Sequence, residues 1–440
     1  MNKKNRNLSY YNKLGFDNLH SWKEEDISNF LIWDFMEDMN KMNNYNAQSF
    51  FTNSFRIAAQ KYKKYKVIID LIDNAYNKFF SLKVVKKKNS ARKKILFNVA
   101  TNFPLIILET KKSYSVEMAV KGKTDRLFAA ENFIKYTSYT NLNQFIYNYL
   151  IKRDKHYLYK LLNDIERKIK RIKPDYIVLR NDFFPIERAM VLVSKKLRIP
   201  TIIIQHGVFQ SVSLLIDGKV ADYILTWGQY SKDLYVKKCD KKSKNVYVLG
   251  HPYLIEKSEV SSKKNKYYIV YYLGQNFERY NKNLLDIKIK TIKEINKICN
   301  KLGIKFIYRP HPGDNRKTLE SKLPKVSFTP RKEKLTESFE KGDIFISFTS
   351  TSLIEAAIYS KICLQLMNFE SKVINFEKLG ICNKSFQTIE ELEDYLTKIA
   401  NSPNLDKFRI KFNNNYIETR YNPGRRFLEI LNDIEENKEK

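Results

Sequence analysis

Hydrophobic residues recur along this chain with two different spacings, which together predict an α/β protein. Residues 26–39 and 48–80 carry aromatic and aliphatic side chains three and four positions apart, as amphipathic helices do. From residue 95 onward, short apolar runs alternate with helix-like stretches. That alternation is typical of parallel sheets covered by helices on both faces.

A break in the alternation predicts two domains. The 440 residues are too many for one ordinary core, and a polar stretch rich in Lys and Ser at 256–266 separates two α/β series. We predict a helical N-terminal segment over 1–90 and a first α/β domain over 91–258. A second α/β domain, including the terminal helices, is predicted over 266–440.

The charge balance suggests what the protein attracts. Eighty Lys and Arg against 48 Asp and Glu give a net charge of +32, which favours polyanions or an anionic membrane surface. Residues 83–94 contain seven basic residues and no acidic one. A solvated charge run, and the Lys/Asn/Ile bias of an AT-rich genome, are alternative explanations.

Several absences narrow the class of protein. No signal-peptide pattern and no apolar run of about 18 residues occurs, and the four cysteines lack CxxC spacing, so we expect a cytoplasmic protein. GxGxxG, Walker, HExxH and GxSxG motifs are also absent, as is a DxD-like metal pair. We therefore expect neither a cofactor nor a metal.

Three of the five histidines directly follow predicted strands. They are His206, His251 and His311, each in a short loop with Gly or Pro. Ligands of open α/β sheets bind at the carboxyl ends of the strands. Arg309 and His311 therefore predict a loop that grips a phosphate and steadies the charge on a leaving group. The alternative is that both only bond neighbouring loops.

A run of hydroxyl side chains predicts an anion site. Thr349, Ser350, Thr351 and Ser352 stand between an apolar strand and a helix, whose first N–H groups favour an anion. Glu355 lies one turn further on, where its carboxylate can accept the hydroxyls of a ribose. An ordinary N-cap, and an acidic residue favoured by the helix dipole, are the alternatives.

Two further loops complete the predicted site. His206, in Gln-His-Gly, titrates near neutrality as imidazoles do, so it can deprotonate an attacking hydroxyl. Asp182 is the second candidate base, or a partner that orients His206. Gly274 opens the first loop of the second domain, where a donor phosphate or the acceptor can pass. A structural histidine and a simple Asn-Asp turn are the alternatives.

The motifs QHG, WG, GHP, RPHP and SFTSTSLIEAA together resemble the bacterial capsule and teichoic-acid transferases of GT-B fold. That group includes polysialyltransferases, capsular Kdo transferases and CDP-glycerol glycerophosphotransferases. The resemblance covers roughly residues 170–370. It implies two Rossmann-like domains facing across a cleft, the first for the acceptor and the second for the donor, with an N-terminal helical extension.

The resemblance also implies roles for particular residues. His206 takes the place of the base, His311 that of the donor-phosphate histidine, and residues 350–352 that of the phosphate cluster, while Glu355 holds the ribose. HGVFQS stands where an HGTP-like motif is expected, and the Ser/Thr run lacks its usual Asp. These departures favour a nucleotide-sugar over CDP-glycerol as the donor.

The function implied is an inverting, metal-independent glycosyltransferase that extends a capsular or other surface polysaccharide. CMP-sialic acid or CMP-Kdo is the favoured donor, with UDP-sugars and CDP-glycerol as alternatives, and the acceptor is a polysaccharide or lipid-linked glycan. Peripheral contact with the inner face of the plasma membrane is expected. The rivals are a nucleotide-sugar epimerase, a basic nucleic-acid-binding protein and a membrane scaffold. We expect no nucleic-acid partner, because RNP, KH, zinc-finger and helix-turn-helix signatures are absent.

Overall fold

The structure is a computed structural model of the chain. It describes residues 23–33, 47–84, 92–98, 103–152, 154–182, 184–205, 207, 220–238, 242–252, 268–275, 283–368, 374–409 and 415–439. By its internal contacts the chain divides into two compact units. The first comprises Met1–His206, Ser213–Leu254 and Arg420–Lys440, and the second comprises Gly207–Val212 and Ile255–Thr419.

The first unit contains a seven-stranded parallel sheet in the order β3-β2-β1-β4-β5-β6-β7. Its central strands are apolar on both faces because helices cover both, so Tyr176–Leu179 is buried throughout. The order reverses between β1 and β4, which is the switch point of a doubly wound sheet. The strands are β1 (Lys94–Asn98), β2 (Ser115–Val120), β3 (Lys135–Ser138), β4 (Tyr176–Leu179), β5 (Thr201–Ile204), β6 (Tyr223–Thr226) and β7 (Val246–Val248).

The first two helices of the first unit precede its sheet in sequence, and the next six follow individual strands. A short π-helix, Asn29–Trp33, continues α1, and a 3₁₀ turn, Ser243–Asn245, precedes β7. The helices are α1 (Glu24–Ser28), α2 (Ala47–Val84), α3 (Pro104–Ser113), α4 (Lys123–Glu131), α5 (Leu142–Lys152), α6 (His156–Ile172), α7 (Pro185–Lys196) and α8 (Gln229–Lys238).

The N-terminal helices pack on the first sheet. In α2, the Tyr76 ring stacks on Tyr136 of β3 at 4.7 Å, and Asp73 accepts a 2.7 Å bond from Arg126. The helix predicted over 48–80 is confirmed as α2. Of the helix predicted over 26–39, the first part is helical, and residues 34–39 lie outside the described residues.

The second unit contains a five-stranded parallel sheet in the order β12-β11-β10-β8-β9. Its switch point lies between β8 and β10, where Val270 pairs with Ile344. The strands are β8 (Ile269–Leu273), β9 (Lys305–Arg309), β10 (Ile344–Ser347), β11 (Ile362–Leu366) and β12 (Lys384–Phe386). The helices are α9 (Asn283–Lys301), α10 (Arg316–Lys322), α11 (Leu335–Lys341), α12 (Thr351–Ile358) and α13 (Ile389–Ala400).

The last helix does not lie where the sequence placed it. The prediction assigned all of 266–440 to the second domain, but α14 (Pro423–Glu439) belongs to the first unit. Phe427, Ile430 and Leu431 are fully buried in the core that covers one face of the first sheet. An amphipathic pattern shows that one face of a helix is buried, but not against which sheet. The predicted boundary at 256–266 lies outside the described residues.

Among the helices that the structure describes, none is both long and apolar enough to cross a membrane.

Candidate functional site

Three predicted loops of the second unit start at one edge of its sheet. The strands β9, β8 and β10 are neighbours and parallel, so their carboxyl ends lie side by side. Gly274 follows β8, His311 follows β9 by two residues, and Thr349–Ser350 leads from β10 into α12. Motifs up to 78 residues apart in sequence, from 274 to 352, therefore meet at the switch point, where doubly wound sheets bind ligands.

Gln275 ties two of these loops together. Its Nε2 donates to Thr349 Oγ1 at 3.1 Å, and its Oε1 accepts from the Thr349 N–H at 2.8 Å. The sequence analysis placed Thr349 in the predicted anion site. Its backbone N–H is instead bonded inside the protein, to Gln275. Sequence reasoning gave Gln275 no role, because an amide that pairs with a residue 74 positions away leaves no local pattern.

Gly274 lies where no other side chain fits. A Cβ on this residue would lie 2.6 Å from the Tyr308 hydroxyl oxygen, 3.0 Å from the Arg309 carbonyl oxygen and 3.1 Å from the His311 nitrogen. The Gly274 N–H also donates to the Arg309 carbonyl at 2.8 Å. This glycine therefore brings the loops after β8 and β9 into contact.

His311 is exposed, and its ring orientation is set by its own loop. The Gly313 N–H donates to His311 Nδ1 at 3.0 Å. Since Nδ1 acts as an acceptor, the neutral imidazole carries its proton on Nε2. With its proton on Nε2, the exposed imidazole is a hydrogen-bond donor, and a donor suits an anionic ligand.

A buried ion pair supports this histidine loop from below. Asp314 accepts from the His311 N–H at 2.9 Å, from the Tyr308 hydroxyl at 3.1 Å and from Lys288 Nζ at 2.9 Å. The side chains of Lys288 and Asp314 are 2% and 0% exposed. Each charge therefore depends on the other for compensation, since neither reaches solvent. Sequence reasoning missed both residues.

Arg309 is directed into the protein. Its Nη1 donates to Ser338 Oγ at 2.9 Å, its Nη2 donates to the Glu333 carbonyl at 3.0 Å, and the Glu333 carboxylate lies 3.7 Å away. Burial lowers the pKa of Arg309, and the Glu333 charge opposes that shift. The sequence predicted a fork that grips phosphate, whereas the structure uses the fork to hold α11 against the end of β9.

The start of α12 leaves donors open. Ser350 is the N-cap, and its Oγ accepts from the Ser352 N–H at 3.2 Å. The Thr351 N–H and the hydroxyls of Thr351 and Ser352 bond to no described residue, and both side chains are partly exposed. Gly207, which belongs to the second unit, would place a Cβ 3.9 Å from Thr351 Oγ1. Glu355 lies one turn further on and is half-buried. Burial raises the pKa of Tyr359, and the negative charge of Glu355 raises it further.

In the first unit, Asp182 anchors the chain before β6. Its Oδ2 accepts from the Val220 N–H at 2.7 Å and from the Ala221 N–H at 2.9 Å, and the residue is fully buried. These contacts explain Asp182 as an anchor for residues 220 and 221. Its complete burial favours this anchoring role over contact with a substrate.

The motifs QHG, WG and GHP meet at the carboxyl ends of β5, β6 and β7. Gln205 accepts from the Trp227 N–H on Oε1 at 2.9 Å and from Trp227 Nε1 on its carbonyl at 2.7 Å. The His251 ring packs on Trp227 at 4.6 Å. This cluster fixes the residue before His206, while His206 itself lies outside the described residues.

A polar cluster at the switch point of the first sheet was not predicted. Glu187 at the start of α7 is buried, forms a short ion pair with Lys121 and accepts from Asn98 Nδ2 at 3.2 Å. Asn98 ends β1 and Lys121 follows β2, whereas Glu187 lies in the first turn of α7, so no local sequence pattern connects the three. In the part of the chain that the structure describes, no three His, Cys, Asp or Glu side chains group as a metal site. The absence of a metal or cofactor requirement stays a prediction.

Solved structures provide the comparison that tests the fold. The S. aureus MnaA–UDP co-structure aligns with a TM-score of 0.54 at 14% identity, over 79% of this chain and 96% of that chain. Methanocaldococcus jannaschii UDP-GlcNAc 2-epimerase in complex with UDP-GlcNAc and UDP aligns with a TM-score of 0.51 at 14% identity, over 77% and 99%. Acinetobacter baumannii MurG aligns with a TM-score of 0.50 at 13% identity, over 77% and 99%.

The sequence itself matches no protein-family model, and a search of curated proteins finds no match. At identities this low, the likeness to solved structures shows the fold alone. The fold is that of the GT-B proteins, with two parallel-sheet α/β domains of seven and five strands. The predicted fold class is confirmed in this respect.

Proposed function

We propose that this chain is a glycosyltransferase that moves a sugar from a nucleotide-activated donor to a capsular or other bacterial surface polysaccharide. The main support is the convergence of an exposed imidazole, an open helix start and a close-packed glycine at one sheet edge. These are His311, the first turn of α12 and Gly274. Together they form a site for the phosphate of the donor.

The chemistry of this site is the stabilisation of negative charge. His311 Nε2–H, the Thr351 N–H and the hydroxyls of Thr351 and Ser352 are donors, and the dipole of α12 adds to them. Donors fixed before the reaction stabilise the departing nucleotide phosphate without a metal. Arg309 and Thr349 act indirectly, by holding the loops that carry these donors, and Glu355 receives the ribose hydroxyls.

The base in this proposal is His206. It removes the proton of the acceptor hydroxyl, which then displaces the nucleotide with inversion at the anomeric carbon. Support comes from the Gln205–Trp227 bonds, which fix the preceding residue at the carboxyl edge of the first sheet. Asp182 contributes by holding residues 220 and 221 rather than by proton transfer.

The favoured donor is a CMP-sugar such as CMP-sialic acid or CMP-Kdo, on the strength of the motif resemblance. Two of the aligned structures contain UDP, and this keeps a UDP-sugar as the first alternative. A CDP-glycerol or polyol-phosphate donor is the second alternative. The acceptor is a polysaccharide or lipid-linked glycan.

A nucleotide-sugar epimerase is the second candidate function, because a UDP-GlcNAc 2-epimerase shares the fold. Such an enzyme needs acid–base carboxylates that face the sugar. Three carboxylates described at the carboxyl edge of the first sheet, Asp125, Asp182 and Glu187, are buried and already bonded within the protein. This arrangement favours the transferase.

Calorimetric titration with CMP, CDP, UDP and GDP tests the site and the donor base together. His311→Ala should weaken binding about ten- to a hundredfold, the usual cost of a lost bond to a charged group. Thr351→Val removes one hydroxyl at constant shape and should weaken binding about tenfold. His156→Ala and Ser321→Ala, which change an exposed histidine and an exposed serine elsewhere, should bind as the unaltered protein does.

The pattern of results separates the alternatives. CMP or CDP binding that both site variants weaken supports the transferase with a cytidine donor. UDP binding followed by epimerisation without an acceptor supports the epimerase. Binding of none of the four nucleotides contradicts the assigned site and favours a nucleic-acid-binding or scaffold protein.

A further inference from the structure

The outer face of α2 is apolar although it is exposed. Val67 is 71% exposed, Leu71 63%, Ile68 57% and Ile72 52%, and Ile57 and Tyr65 are also exposed. These six residues make up half of the twelve large hydrophobic side chains that are exposed among the described residues. Scattered exposed apolar residues are ordinary, but several on one face mark a binding surface.

The positions follow the helical repeat. At about 100° per residue, Ile57, Ile68 and Leu71 lie within one arc of the helix. The opposite arc carries Tyr62 and Asp73, which are buried against the first unit. The exposed strip from Ile57 to Ile72 is about 23 Å long at 1.5 Å per residue. The helix thus has two apolar faces, one packed on the protein and one exposed to solvent.

Lysines accompany this strip. Lys61, Lys63, Lys64 and Lys66 are exposed, whereas the acidic residues between 55 and 78 are Asp70, which is partly buried, and Asp73, which is paired with Arg126. Positive charge therefore surrounds the apolar side chains.

We propose that the outer face of α2 docks on a bilayer rich in anionic phospholipid. Aliphatic side chains between lysines are the composition of helices that lie in a membrane interface, where the lysine stems bury and their ammonium groups meet the headgroups. Protein interfaces are depleted in lysine, and nucleic acids are held by aromatic stacking rather than by Val, Ile and Leu. This surface goes beyond the proposed transfer reaction and does not depend on it.

Vesicle co-sedimentation of the full chain tests the proposal. The protein should bind vesicles of phosphatidylglycerol and phosphatidylcholine more tightly than pure phosphatidylcholine, and added salt should weaken the binding. The double variant Val67→Gln and Leu71→Gln should lower the partition coefficient at least tenfold, because two aliphatic side chains no longer enter the interface. A second pair, Ile68→Gln with Ile72→Gln, should show the same loss.

A matched control removes two exposed aliphatic residues elsewhere, Leu108→Gln with Ile287→Gln, and should bind as the unaltered protein does. Absence of binding to anionic vesicles overturns the proposal. The proposal is also overturned if both α2 variants bind vesicles as tightly as the unaltered protein, because charge elsewhere would then hold the protein. Loss of self-association or of RNA binding in these variants, with vesicle binding unchanged, would assign the face to another partner and overturn it as well.

Discussion

The buried pair of Lys288 and Asp314 allows a quantitative prediction. Lys288→Met removes the positive charge 2.9 Å from a carboxylate that is fully buried. At an effective dielectric constant of about 20, the lost attraction is about 6 kcal/mol. Part of it is offset because the lysine itself is no longer desolvated. We therefore expect the unfolding free energy of the second unit to fall by about 3–5 kcal/mol.

The remaining bonds of Asp314 predict how Lys288→Met and Asp314→Asn combine. In Asp314→Asn the side chain can still accept from Tyr308 and from the His311 N–H, but Lys288 loses the carboxylate charge that lies 2.9 Å from it. The double variant Lys288→Met with Asp314→Asn leaves no buried charge. Its loss should be smaller than the sum of the two single losses by roughly 2 kcal/mol.

Urea denaturation can separate the two units. Trp227 is fully buried in the first unit and no tryptophan occurs after it in the sequence, so its fluorescence reports the first unit, and far-UV circular dichroism reports both units. Lys288→Met should shift the transition of the second unit, which circular dichroism detects and fluorescence does not, and should leave the fluorescence transition in place. Lys290→Met, at an exposed lysine two positions away, is the control. A shift of less than about 1 kcal/mol in Lys288→Met would refute the buried-pair reasoning.

Further predictions concern the loops and the thiols. Gly274→Ala should destabilise the second unit by about 1–3 kcal/mol, because the new Cβ would lie 2.6 Å from the Tyr308 hydroxyl; an unchanged urea midpoint would contradict this. Gln275→Ala should weaken nucleotide binding about tenfold in calorimetry, since it frees the loop that enters α12; equal affinity would show that the loop is held otherwise. Burial raises the pKa of Cys382 to about 12, so a Cys239→Ser variant should not react with a thiol reagent at pH 8 until it unfolds, and rapid reaction of the native protein would contradict the burial. The raised pKa of Cys382 also predicts how stability depends on pH. Its contribution to the unfolding free energy is complete below about pH 9 and is lost progressively at higher pH, because the thiol of the unfolded chain ionises there before that of the folded protein. Urea midpoints between pH 8 and 10 check this sign.

Local patterns predicted the strands and the loops that follow them. Buried parallel strands are continuous apolar runs, and Pro and Gly mark the loops at their ends, so the histidine loop after β9 and the hydroxyl run before α12 could be placed from sequence. The orientation of Arg309 could not be predicted. Its partners Glu333 and Ser338 lie 24 and 29 residues away, and no spacing indicates which side a guanidinium faces.

The supports of the site left no signal in the sequence for the same reason. Lys288 lies in the second turn of α9, among other lysines, and it pairs with Asp314, 26 residues later. Long-range hydrogen bonds and ion pairs have no period, whereas helices and strands do. The position of α14 on the first sheet is a further long-range contact that the periodic pattern could not reveal.

The central claim, that the edge formed by β9, β8 and β10 binds a nucleotide phosphate, is tested most directly by NMR of the histidine side chains. The protein is labelled with ¹⁵N-histidine, His311 is assigned with the variant His311→Ala, and CMP and UDP are titrated in turn. We expect the Nε2 signal of His311 to shift on saturation with the bound nucleotide while that of His156, on the first unit, stays fixed. A saturated nucleotide complex in which His311 does not shift would contradict the account.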